Sequence, residues 1–227
     1  MTGPSRWSRV DRVMLMDKHF LSEDDVCFYY LQVDTLRWWV ESPHQQANSL
    51  MDNFKKSPTR YANNLGVLGH KREAVKTLAK AVASFLTEVG GEALGPVSLV
   101  PIPTSRPRGS EGYDSRLDDL CQIVSGDVGF ASYLPLLDTV EFLGKTRYGE
   151  VERDPNVLAR NIRVAAGALP RCRETVVLVD DVLVTGSHFA ACKALLDGAA
   201  PVRLLVGLFL SSWVPKWAHP SPDDYPF

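Results

Sequence analysis

One segment constrains this chain more than any other. Val176, Val177, Leu178 and Val179 form an unbroken apolar run, and Asp180 and Asp181 follow it directly. After Val182, Leu183 and Val184 come Thr185, Gly186, Ser187 and His188. A short continuous run of Val and Leu predicts a buried strand of a parallel sheet. In open α/β sheets ligands bind at the carboxyl edge of such strands, and here that edge carries two adjacent acids. Thr185 and Gly186 predict a tight turn that opens a helix over residues 187–196, with Gly198 just past its end. Gly186 would let the backbone approach a ligand closely. The helix start offers unpaired N–H groups and a positive dipole end, and Thr185 and Ser187 add hydroxyl donors. One loop can therefore hold a phosphate while the acids reach sugar hydroxyls or a hydrated Mg²⁺ ion. The plainer alternative is a strand-turn-helix connection with exposed acids and a Ser/Thr cap.

The rest of the chain supplies matching elements. Residues 97–102 and 202–210 are further apolar strands, and strand, helix, strand in that order predicts a βαβ unit and a parallel sheet. Val75, Leu78, Ala79, Val82, Leu86 and Val89 share one face of a helix over residues 71–89, which Gly90, Gly91 and Gly95 stop. Leu117, Leu120, Cys121 and Val124 repeat at helical spacing, and residues 133–137 are a candidate strand. Ser22 caps a helix or residues 26–31 form a buried strand; both readings stand. Trp38 and Trp39 belong to an aromatic group suited to a core or a partner surface. Residues 138–160 are charged without a period, as expected of a mobile functional loop. Residues 213–227 hold four prolines and predict an extended arm. The chain thus divides into an N-terminal extension (1–70), a core (71–212) and a C-terminal arm (213–227).

Bulk properties exclude some functions. A net charge of -2 argues against non-specific nucleic-acid binding through bulk charge. Lys55, Lys56, Arg60, Lys71 and Arg72 form either a local basic patch or a solvated helix start. Cys27, Cys121, Cys172 and Cys192 have no Cys-x-x-Cys or zinc-ligand spacing, as expected of reduced thiols in a cytoplasmic protein. No apolar run suits a membrane span.

The pattern over residues 176–188 resembles the ribose-phosphate signature of type I phosphoribosyltransferases. His188 stands where that family has Thr or another small residue. Val100-Pro101-Ile102-Pro103, followed by Arg106, Arg108, Gly112, Tyr113 and Asp114, looks like the competence protein F branch, with Asp114 in place of its Asn. Arg160-Asn161-Ile162 is similar to that branch's Arg-x-x-Asn-Val step at a different spacing. The branch's cysteine pairs for a zinc finger are missing.

The resemblance implies an α/β phosphoribosyltransferase type I fold: a central, mostly parallel sheet flanked by helices, with an N-terminal hood-like subdomain. It implies 5-phosphoribosyl-1-diphosphate as ligand, Mg²⁺ as cofactor and transfer of phosphoribose to an acceptor. Asp180 and Asp181 would hold the ribose and the ion. Val184, Thr185, Gly186, Ser187 and His188 would bind the 5′-phosphate. Thr104, Ser105, Arg106 and Arg108 would bind the diphosphate, because guanidinium forks match phosphate geometry. Lys145 and Arg147, with Arg153, would cover the leaving group from a mobile loop. The alternative it leaves open is a regulator that binds the same ligand, or another nucleotide, without turnover. Such a regulator could serve nucleic-acid machinery in DNA uptake or phage defence. A protein partner and a homodimer both remain open.

Overall fold

The computed structural model describes residues 7–10, 18, 20–33, 45–142, 154–197 and 201–213. Its strands are β1 (Ser8–Arg9), β2 (Val26–Val33), β3 (Val97–Pro101), β4 (Ala131–Tyr133), β5 (Leu137–Thr139), β6 (Ile162–Val164), β7 (Thr175–Leu183) and β8 (Leu204–Trp213). Its helices are α1 (Gln45–Phe54), α2 (Leu65–Val89), α3 (Gly91–Leu94), α4 (Arg116–Asp127), α5 (Pro155–Arg160) and α6 (Ser187–Asp197), with a 3₁₀ turn at Ala166–Arg171. No helix among these residues is long and apolar enough to cross a membrane.

The main sheet runs in the order β1-β2-β8-β7-β3-β4. Every neighbouring pair is parallel except β1 with β2. The architecture is therefore α/β, with a mostly parallel central sheet flanked by helices. Alternation along each strand sends side chains to two separate cores. Val97, Leu99, Val177, Val179, Val206 and Leu208 face the side covered by α1, α2 and α4. Val100, Ile102, Val176, Leu178 and Phe209 face the side covered by α6 and the antiparallel pair β5–β6. Leu78, Val82 and Leu86 of α2 are buried as the apolar stripe requires.

This topology opens a crevice. From β3 the chain crosses through α4 to β4 on one side. From β7 it crosses through α6 to β8 on the other side. The loops leaving β3 and β7 diverge, and the carboxyl edge between them is a switch point where ligands bind in such sheets.

Several expectations need correction. Residues 26–33 pair with β8 from Val26↔Val206 to Val33↔Trp213, so the N-terminal third supplies a strand of the main sheet. Residue 70 lies inside α2, which begins at Leu65 because the Asn64 side chain accepts the Val67 N–H at 3.1 Å. A division at residue 70 therefore follows no boundary in the fold. Ser22 caps no helix; its N–H and hydroxyl both donate to Asp25 in a turn before β2. Residues 133–137 do not form one strand. Pro135 has no N–H for the ladder, so the chain leaves β4 at Tyr133 and re-pairs as β5 with β6. Asn161 clasps that hairpin, accepting from the Glu141 amide at 3.1 Å and donating to its carbonyl at 2.9 Å. Trp38, Trp39, residues 143–153 with Lys145, Arg147 and Arg153, and residues 214–227 lie outside the described residues.

Candidate functional site

The loops after β3 and β7 border a cleft of about 720 Å³. Asp180 and Asp181 stand just past Val179, where β7 stops pairing with β3 while its pairing with β8 continues to Leu183. Being adjacent in a strand, they point to opposite faces. Asp180 turns to the α6 side, where its Oδ2 lies 3.9 Å from His188 Nδ1. Asp181 turns to the α4 side, where its Oδ2 accepts from Arg116 Nη2 at 2.6 Å and pairs with Lys55 Nζ at 3.2 Å. Both acids nevertheless line the cleft, because it straddles the sheet edge.

Their electrostatics differ accordingly. Burial, and then the charge of Asp181, push the Asp180 carboxyl up to about 6. Burial works on Asp181 in the same sense, but Lys55 and Arg116 outweigh it and hold that carboxyl below the usual range. The cleft therefore contains one carboxylate committed to cations and one near its titration point.

The turn after β7 forms a smaller recess of about 130 Å³, walled by Val184, Thr185, Gly186, Ser187 and His188. Thr185 donates to Ser187 Oγ at 3.3 Å, and the Gly186 carbonyl accepts the Ala190 N–H at 2.9 Å as α6 begins. Gly186 has φ 83°, the left-handed region that favours glycine. A Cβ there would lie 2.6 Å from Leu21 Cγ. The close approach Gly186 permits is thus taken by Leu21, and Phe20 N also donates to Thr185 O at 3.1 Å. The N-terminal segment buttresses this turn.

The loop after β3 divides the residues expected to bind diphosphate. Thr104, Ser105 and Arg106 line the cleft. The Arg106 guanidinium lies 3.8 Å from the Phe142 ring centroid, donates to Glu111 O at 3.0 Å, and packs under Gly112. Arg108 points elsewhere. Its Nε and Nη2 donate to Asp118 Oδ1 at 3.1 and 3.0 Å, Nη1 donates to Leu137 O, and its amide donates to Asp138 at 3.0 Å. Tyr113 and Tyr133 also donate to Asp118. Arg108 is consumed in pinning the loop to α4 and β5, because Asp118 is buried and requires a cation. Lys145 and Arg147 lie outside the described residues.

Sequence reasoning missed Lys55 and Arg116 as members of the site, and read Lys71 as part of either a basic patch or a solvated helix start. Lys71 is buried and pairs with Asp114 at 2.8 Å. One signal was available: Arg116 is the first residue of α4, where a positive charge opposes the helix dipole.

No group of three or more His, Cys, Asp or Glu among the described residues could hold a metal ion. Mg²⁺ needs only one or two carboxylates when water and ligand oxygens complete its shell. Asp181 Oδ2 is engaged by two cations, whereas Asp180 Oδ2 would be open to such an ion. Compared with known proteins, the chain matches no family model, and no curated protein is significantly similar to it.

Proposed function

We propose that this chain is a phosphoribosyltransferase-like protein of type I fold. In this reading it binds 5-phosphoribosyl-1-diphosphate with Mg²⁺ and transfers phosphoribose to an acceptor. One observation carries the reading. At the switch point of a parallel sheet, two acids just past the end of the β3 pairing of β7 share an edge with a glycine turn at a helix start. Acids beside an anion site would repel a bare phosphate, whereas a ribose phosphate uses both.

In this reading the amides and hydroxyls of residues 185–188 hold the 5′-phosphate, and the Asp180 and Asp181 carboxylates accept from the ribose hydroxyls. Arg106, seated on the Phe142 ring, meets the diphosphate across the cleft. Lys145 and Arg147 would cover it. Mg²⁺, held by Asp180 and the ligand's own oxygens, would neutralise charge on the leaving diphosphate. An acceptor lone pair attacks C1 as the C1–O bond breaks, and the bonding electrons leave on diphosphate. Charge stabilisation and exclusion of water, more than a strong base, lower the barrier for such an oxocarbenium-like step.

A second reading, ligand binding without turnover, is favoured by the pairing of Asp181 with both Arg116 and Lys55. One experiment tests both. The protein is mixed with 5-phosphoribosyl-1-diphosphate, Mg²⁺ and a panel of bases and amines, and both binding and diphosphate release are followed. Turnover supports transfer, saturable binding alone supports the regulator, and no binding removes both.

A further inference from the structure

Five charged side chains, four of which line the cleft, form a chain. Lys55 meets Asp181 at 3.2 Å, and Asp181 meets Arg116 Nη2 at 2.6 Å. Arg116 Nη1 meets Asp114 at 2.7 Å, and Asp114 meets Lys71 at 2.8 Å. The chain then closes on itself. Lys71 Nζ also donates to Phe54 O at 3.0 Å and Lys56 O at 2.7 Å, the residues on either side of Lys55. The resulting ring joins the end of α1, the body of α2, the start of α4 and the end of β7.

Neither cation at its centre is placed there by local preference. Lys71 is only 8% exposed, and a buried ammonium is costly where an apolar side chain would pack as well. Arg116 opposes the dipole of its own helix, and its Nε is buried with no partner among the described residues. What the two share is geometry. Arg116 spans two carboxylates with one fork, and Lys71 holds both carbonyls flanking Lys55.

We propose that Arg116 and Lys71 are positioning residues that couple Asp181 to the cleft wall formed by residues 55–59. A ligand that engages Asp181 must compete with Lys55, so its binding is transmitted to that wall. The inference rests on the ribose-phosphate reading only for the identity of the ligand.

Trypsin provides the test on the full chain, because Lys55, Lys56 and Arg60 place cleavage sites in and beside the wall. Lys71→Met removes the donor to the two carbonyls but leaves Asp114 paired with Arg116. Arg116→Lys keeps the charge but cannot span both carboxylates. Each variant should be cut at the wall about tenfold faster than wild type under native conditions, because cleavage follows local opening. Cutting elsewhere should stay unchanged, and Lys71→Arg should restore slow cutting. Both variants should also bind ribose 5-phosphate with Mg²⁺ about tenfold more weakly by calorimetry, although Lys71 touches no ligand. Wall cutting at the wild-type rate in both variants overturns the proposal. So does faster cutting across the whole chain, which would mark global loosening. If wild type binds no ribose 5-phosphate while Arg116→Lys still accelerates wall cutting, the ribose-phosphate reading fails and the coupling stands.

Discussion

The loops after β3 and β7 end parallel strands at the same sheet edge, yet they are held in opposite ways. The β7 loop takes most of its hydrogen bonds from its own neighbours, with Phe20 and Leu21 buttressing it from the N-terminal segment: Thr185 bonds Ser187, Gly186 bonds Ala190, and Asp180 accepts the Asp181 amide at 2.7 Å. The β3 loop is held by residues far along the chain. Arg108 reaches Asp118, Leu137 and Asp138, and Thr139 donates to Thr104 O. A locally built loop is set by its own residues, whereas a loop pinned from a distance depends on the whole fold. The comparison makes the β3 loop the more fragile of the two.

Removing the pin should have the largest effect. Asp118→Ala leaves the Arg108 guanidinium without its carboxylate and two tyrosine hydroxyls without their acceptor. We expect a loss of about 3–5 kcal/mol, read from urea unfolding. A loss under about 1 kcal/mol would mean that the β3 loop is as self-supporting as the β7 loop.

Gly186→Ala should cost less, about 1–3 kcal/mol, through the positive φ and the clash with Leu21. Pairing it with Leu21→Ala should relieve the clash but not the backbone strain. Full recovery in the double variant would show that the β7 turn is limited by packing alone.

Asp181→Asn sharpens the contrast further. From the sequence, this strand-end acid seemed dispensable to the fold. In the structure it neutralises Arg116 and Lys55, so the amide should cost roughly 1–3 kcal/mol in stability as well as weaken ribose-phosphate binding. Unchanged stability in thermal melts would return Asp181 to a purely ligand-facing role.

Acid titration tests Asp180. Its carboxyl stands near 6 in the folded chain against 3.8 when free. The folded state therefore binds the proton more tightly than the unfolded state. This contribution to stability is complete below 3.8, is lost as pH rises to about 6, and is flat above. Asp180→Asn should remove that decline from a series of urea midpoints taken across the same window. A decline of equal size in the variant would assign it to another group.

The smallest expected change is in Thr185→Ala. Thr185 donates to one neighbouring hydroxyl, so stability should move by less than about 1 kcal/mol, while phosphate affinity falls severalfold by calorimetry. A stability loss as large as that of Asp118→Ala would erase the distinction between the loops.

By itself, the sequence determined what short-range physics determines. Residues 176–179 read as a buried strand because the run is nearly all Val, and α2 was legible from its apolar stripe. The turn at Thr185 and Gly186 followed from residue types that act on their own backbone. The adjacent acids were visible too, although β7 continues past them to Leu183 along β8. The tertiary structure alone decided what depends on distant neighbours. It placed residues 26–33 inside the main sheet, since an apolar run does not name its pairing partner. It separated Arg106 from Arg108, two residues apart and alike in type, because only one lies within reach of buried Asp118. It also drew Lys55, Lys71 and Arg116 together from three helical regions. A charge has no periodicity that reveals its partner, and burial, which fixes the strength of such a pairing, exists only once the sheet and helices have closed around it.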